Sequence, residues 1–174
     1  MAQILAIGVA TLDVINTVDG YPRENDKIRA CSRHRVRGGN AANTLVVLSR
    51  LGHDGAWAGT LASDEAARTI REDLERHGID HQHCRIHDHG ASPTSYVIHN
   101  RRNGSRTIVH YRELEEFSAA DFRHIDLAPY DWCHFEGRNV PELAAMLALA
   151  GEQHPELPLS LEVEKPRPAI EDLF

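Results

Sequence analysis

The sequence predicts an α/β fold, with a parallel sheet covered by helices on both faces. Three observations predict it. Short apolar runs alternate with longer amphipathic segments along most of the chain, the order expected of strand–helix units. The first two amphipathic segments end at Gly52 and Gly78, a common helix stop. Two β-type stretches break the alternation, which predicts a small second sheet over the main one.

The elements follow in order. Ile4 to Val9 is an apolar run followed by Thr11-Leu12-Asp13, and reads as a buried first strand. The stretch from Asn16 to Asp26 holds Gly20, Pro22 and Asn25 and predicts a turn. Ile28 to Val36 mixes polar and apolar residues, as a half-exposed strand does. After Gly38-Gly39-Asn40, Ala41 to Leu51 reads as a helix with Ala42, Leu45, Val46 and Leu48 toward the core. Trp57 to Leu61 is a strand, and Ser63 and Asp64 cap a helix from Glu65 to His77. Ser95 to His99 and Thr107 to Tyr111 flank Asn100-Arg101-Arg102-Asn103-Gly104-Ser105 and predict a hairpin with Asn-Gly at its tip. Ser118 opens a short helix through Phe122. Trp132 to Phe135 is a strand, Pro141 to Ala150 a helix and Leu159 to Val163 a strand.

Composition narrows the function classes. The chain has 174 residues, 41% of them apolar and 26% charged, enough to bury one core. No apolar run is long enough to cross a bilayer. The N-terminus lacks a basic region and a cleavage site, so no secretory signal is expected. Three widely spaced cysteines argue against a disulfide framework and for a cytoplasmic protein. A net charge of -7 gives no footprint for nucleic acid.

In an open α/β sheet, ligands bind beyond the carboxyl ends of the strands. Asp13, Gly38-Gly39-Asn40 and Glu136-Gly137-Arg138-Asn139 all fall there. Gly38 and Gly39 let the backbone approach a ligand. Asn40 and Asn43 are three apart, so both amides are expected on one side of the helix start. Amides offer donors and acceptors to sugar hydroxyls, and a carboxylate such as Asp13 accepts from two hydroxyls. Plainer readings fit each residue singly. Gly38-Gly39 is then a turn with Asn40 as N-cap, and Asp13 caps a turn. Glu136 then pairs with Arg138, and Arg106 is a solvated surface charge.

A different class of function comes from His81-Gln82-His83-Cys84 and His87-Asp88-His89, whose side chains are plausible zinc ligands. Their spacing matches no compact zinc motif. The segment is read as a histidine-rich surface loop, and no metal site is assigned. Cys133 is read as a small core residue.

Together, Asp13, Asp19-Gly20-Tyr21-Pro22 and Arg37-Gly38-Gly39-Asn40-Ala41-Ala42-Asn43 resemble the N-terminal signature of the ribokinase-type (PfkB) carbohydrate kinases. Leu51-Gly52, Gly59 and Asp64 match the same pattern. Three further stretches resemble the ketohexokinase branch of that family. They are Asn103-Gly104-Ser105-Arg106-Thr107-Ile108-Val109, His134-Phe135-Glu136-Gly137-Arg138-Asn139 and Leu161-Glu162-Val163-Glu164-Lys165-Pro166-Arg167. The resemblance implies a ribokinase-like three-layer α/β/α sandwich with a small β-sheet lid. Residues 1–174 would be the N-terminal part of one such domain, with lid segments about 14–36 and 92–112.

The same resemblance implies ATP-dependent phosphorylation of a sugar hydroxyl, fructose or a related ketose, with ATP and Mg2+. Asp13, Gly38, Gly39, Asn40 and Asn43 would form the sugar site. Arg106 would stand on the lid near sugar and phosphate, and Glu136 near the reacting centre. A homodimer through the lid is implied too. Ketohexokinases lend an Asp across that dimer, where this chain has Asn25 with Asp26 beside it. The family's Gly-Ala-Gly-Asp motif, with its catalytic Asp, does not occur in these residues. The chain is therefore expected to be inactive alone and to leave one sheet edge open. The alternatives are a catalytically inactive sugar-binding module, or a ribokinase or nucleoside-kinase relative with another substrate.

Overall fold

A computed structural model describes residues 1–173. The chain begins with strands β1 (Gln3–Ile7), β2 (Thr11–Val18) and β3 (Ser32–Gly38). Helix α1 (Asn40–Arg50), strand β4 (Asp54–Ala62), helix α2 (Glu65–Arg76) and strand β5 (Ile79–His87) follow. Next come β6 (Thr94–Asn100), β7 (Arg106–Tyr111) and the short helix α3 (Ala119–Phe122). Strand β8 (Trp132–Glu136), helix α4 (Val140–Gln153) and strand β9 (Leu159–Glu162) lead to a 3-10 turn at Ile170–Leu173.

Two sheets result. The main one has the order β5-β4-β1-β8-β9 and is parallel throughout. Both of its faces are covered. Ile4 and Ala6 of β1 join Leu45 of α1 and Ile70 and Leu74 of α2 in one core. Leu5 and Ile7 point the other way and join Phe122, Phe135, Leu143 and Met146 in a second. That double burial is why β1 is apolar without alternation. Helix α2 forms because Ala67, Ile70 and Leu74 repeat on one face. Its first turn is closed by Asp64, which accepts from the Ala67 amide at 2.8 Å.

The small sheet has the order β3-β2-β6-β7. β2 runs antiparallel to β3 and parallel to β6, and β6 and β7 form a hairpin. One face rests on α2. Arg35 reaches Glu65 and Arg37 reaches Asp73, each at 2.7 Å.

The described structure departs from the sequence expectations in four places. The first strand ends at Ile7, and Asp13 lies inside β2, in the small sheet. The turn expected from Asn16 starts later, because Thr11–Val18 alternates β-formers and stays paired through Val18. The hairpin does not turn on Asn103-Gly104 alone. Asn100 and Ser105 close a four-residue loop, with the Asn100 amide donating to the Ser105 carbonyl at 2.9 Å. The histidine-rich segment is not a loop. Through His87 it is β5, an edge strand of the main sheet, with Asp88 and His89 in the bend that follows, and edge strands tolerate polar residues.

Candidate functional site

The site is where the main sheet's carboxyl end meets the small sheet. β1 stops at Ile7, the chain passes Gly8 to Ala10, and β2 carries Asp13 into the small sheet. Register then brings Gly38 of β3 close to it, paired with Thr11. Thr11 Oγ1 donates to Asp13 Oδ1 at 2.7 Å. The carboxylate packs against Gly38, where any Cβ would overlap it. Gly39 adopts φ +98°, and a side chain there would strike the Val9 carbonyl. Two glycines are thus required, the first by close approach and the second by conformation as well.

Gly39 is also the N-cap of α1, without a side-chain cap bond. Asn40 is the first helical residue and not the cap. Its amide donates toward Glu164 at 3.3 Å and Glu162 at 3.5 Å, at the end of β9. Asn43 is exposed, and its amide oxygen accepts from Arg37 at 2.8 Å. The two amides expected on one side are therefore held by different partners.

Glu136 ends β8 and is buried. Its Oε2 accepts from the Val9 amide at 2.8 Å and the Ala41 amide at 3.5 Å. It thereby ties the end of β1 to the start of α1, whose first amides have no partner within the helix. Burial pushes its pKa up, against those amides and Arg138, which act to lower it. Arg138 lies 3.7 Å from Glu136 and 2.7 Å from Glu116. Glu116 also pairs with Arg112, so one carboxylate holds two guanidinium groups. Burial would lower the Arg138 pKa, but Glu116, Glu136 and Glu164 together outweigh it and the net shift is upward.

The structure thus gathers Asp13, Gly38, Gly39, Asn40 and Glu136 around the junction. It does not bring Arg106 to them. Arg106 pairs with His99 and, through it, Thr17. That is four residues up the sheet from Asp13, or about 13 Å of strand. The cations at the junction include Arg112 and Arg138. Sequence reasoning missed Arg112 and Glu116, which lie in irregular chain with no periodic pattern. It also missed His110, whose placement depends on hairpin register. His110 Nδ1 lies 3.1 Å from Ser95 Oγ, in the row of Asp13.

The alternative sites are less built. Among the described residues, no group of three or more His, Cys, Asp or Glu is placed to hold a metal. His81 pairs with Glu75 and His83 with Tyr130, on separate partners. Cys133 is buried, and burial pushes its thiol up to about 12, which suits a core residue and not a nucleophile. No described helix is long and apolar enough to cross a membrane.

The pfkB family carbohydrate kinase model matches residues 1–154. The chain belongs to the pfkB family of carbohydrate kinases. This pfkB chain is 41% identical to ketohexokinase of Mus musculus across 99% of its own length. It spans 60% of that relative. Ribokinase of Bacillus subtilis is 26% identical over 63% of this chain and 37% of its own. Among solved structures, a PfkB protein from Polaromonas sp. JS666 superposes with a TM-score of 0.79 at 19% identity, over 99% of this chain and 63% of its own. A ribokinase of Arabidopsis thaliana, complexed with ribose and ATP, gives 0.73 at 18% identity, over 95% of this chain and 54% of its own. At those identities the structural matches speak for the fold alone: a ribokinase-like α/β architecture.

Proposed function

We propose that this chain is the sugar-binding part of an ATP-dependent sugar kinase acting on a ketose, with the small sheet as its lid. The observation that carries this is a likeness spanning nearly the whole chain, 41% identity to a ketohexokinase, combined with Asp13 held beside Gly38–Asn40. Asp13 is ready to accept from sugar hydroxyls, with one oxygen steadied by Thr11. Gly38 and Gly39 let Asp13 and the Val9 backbone close up beside the start of α1. Asn40 adds donors, and Asn43 does so once its bond to Arg37 is exchanged for a sugar hydroxyl.

The chain's own residues bind, orient and cover the substrate. Holding the reacting hydroxyl in place converts a second-order encounter into an oriented one. The lid excludes water from the transferring phosphoryl group. ATP is the second substrate. Arg112 and Arg138 offer the positive charge that its phosphates need. The base that removes the hydroxyl proton and the nucleotide site would belong to the part of the family domain outside these residues. Among the described residues no group of three or more His, Cys, Asp or Glu is placed to hold a metal ion; Mg2+ would be held mainly by the phosphates of ATP, and no step here runs through it.

The open face of the small sheet carries Val36 and Ile108, 43% and 53% exposed. It suits the pairing of two lids in a homodimer, which light scattering of the full-length protein would register as twice the monomer mass. The activity itself is tested by ADP release from the full-length protein across fructose, tagatose, ribose and nucleosides. Turnover on ketoses supports this reading. Turnover only on ribose or nucleosides would move the protein to another branch. Sugar binding without ADP release would make it a binding module.

A further inference from the structure

One row of the small sheet crosses all four strands at the level of the site. It reads Val36, Asp13, Ser95, His110. Residues paired across neighbouring strands point to the same face. Asp13 and His110 therefore stand on one face, with the short side chain of Ser95 between them. Two inter-strand spacings, about 10 Å, separate their backbones, a gap that one monosaccharide ring can bridge.

Four charged groups act on His110. They are Arg138 at the end of β8, Arg112 beyond β7, Asp13 on β2 and Lys165 beyond β9. All four border the junction and come from separate parts of the chain. Partial burial of the ring, then Arg138 and Arg112, hold its pKa below the ordinary value. The neutral ring has one donor and one acceptor. Ser95 Oγ lies 3.1 Å from Nδ1, and a hydroxyl donating there sets the ring proton on Nε2.

That arrangement complements Asp13. An ionised carboxylate only accepts, so it selects hydroxyls that donate. It gives nothing to a ring oxygen or to a hydroxyl already donating elsewhere. We propose that His110 is a specificity-determining residue of the sugar site, donating from Nε2 to a sugar oxygen near those held by Asp13. The inference rests on the sugar-kinase reading above and deepens it. His110 is a binding residue here, with no part in the phosphoryl step.

The test uses the full-length protein with D-fructose and its singly deoxygenated analogues as probes. His110→Phe keeps a flat ring without the donor. It should raise KM for fructose about tenfold or more, since the oxygen loses its hydrogen-bond partner, with kcat within about threefold. His110→Gln, which can place an amide donor near the Nε2 position, should stay within about threefold of wild type. The penalty of His110→Phe should vanish against the one deoxy analogue that lacks the paired oxygen. A merely structural role would spread the loss over every analogue, and that result overturns the inference. So does an unchanged KM in His110→Phe. Asp13→Ala separates the two levels. If it abolishes fructose binding while His110→Phe binds normally, the sugar site stands and His110 has no part in it. If folded wild type binds no sugar at all, the kinase reading falls and this inference with it. Should His110→Phe fail to fold, Ser95→Ala decides. It frees the tautomer and should raise KM at least about threefold, and no change contradicts the proposal.

Discussion

The two sheets solve opposite problems. The main sheet is buried on both faces, with Leu5, Ala6 and Phe135 fully inside. The small sheet is open: every residue of β7 is exposed, and so are most of β3. The first is held by packing. The second is held by its ladders, including the parallel β2–β6 pairing, by Leu12 and Val14 packed into the core shared with α1 and α2, and by ion pairs to α2. The candidate site takes one part from each. Glu136 is fixed by the buried sheet, while Asp13 is carried by the open one. A rigid floor with a lightly held cover suits a site that must admit a substrate and then exclude water.

The comparison can be broken most strongly in the buried sheet. Phe135→Ala removes a fully buried ring and should cost about 3–5 kcal/mol in chemical denaturation of the full-length protein. A loss under 1 kcal/mol would mean that the main sheet is not the scaffold. Next is Asp64→Ala. Asp64 caps α2 and also accepts from the Ser92 amide and hydroxyl at 2.8 Å each, joining α2 to the start of the small sheet. Removing it should cost about 1–2 kcal/mol. Burial would raise the Asp64 pKa, but these donors lower it overall. Its contribution is therefore present above the unfolded value near 3.8 and is lost as pH falls through the lower folded value. The gap between wild type and Asp64→Ala should narrow in acid.

Glu136 sharpens the contrast with the opposite sign. Its folded pKa is raised above 4.5 by burial, so the native state holds that proton more tightly. The associated stability is full below the unfolded value and declines as pH rises through the folded one. Glu136→Gln should remove this slope. The stability of wild type relative to the variant should then be greater at pH 4.5 than at pH 7. The smallest effect belongs to the open sheet. Ile108→Ala trims a side chain on the outer strand that is 53% exposed and, where the lid is unpaired, should change stability by less than about 0.5 kcal/mol. A loss comparable to that of Phe135→Ala would show that the small sheet is packed in solution against something else.

What could be read from the sequence followed the same division. The strands of the main sheet that lie between others are apolar runs, and β4 and β8 were found within a few residues at each end. β5 was not, because Ile79-Asp80-His81-Gln82-His83 has the polarity of a loop and owes its pairing to β4. In the small sheet, the presence of a hairpin was legible but its register was not. A two-residue turn on Asn103-Gly104 would have set Ser95 opposite Arg112. The four-residue loop instead sets Ser95 opposite His110, and that shift puts the histidine in Asp13's row. At the site, the signature residues Asp13, Gly38, Gly39 and Asn40 were legible as a combination, whereas each alone fits an ordinary turn or cap. The Arg112–Glu116–Arg138 network was not, since Arg112 and Glu116 lie in irregular chain and Arg138 joins them from a distant strand end.

The central claim is that the open sheet's Asp13 and the turn at Gly38–Asn40 together form a sugar site. Titration calorimetry of D-fructose into the full-length protein, wild type against Asp13→Ala, tests it most directly. Wild type should bind, and the variant should be at least about 100-fold weaker, as expected when sugar hydroxyls lose a charged acceptor, while unfolding at nearly the same denaturant concentration. Equal affinity in the two proteins would contradict the assignment of Asp13 and the site built around it.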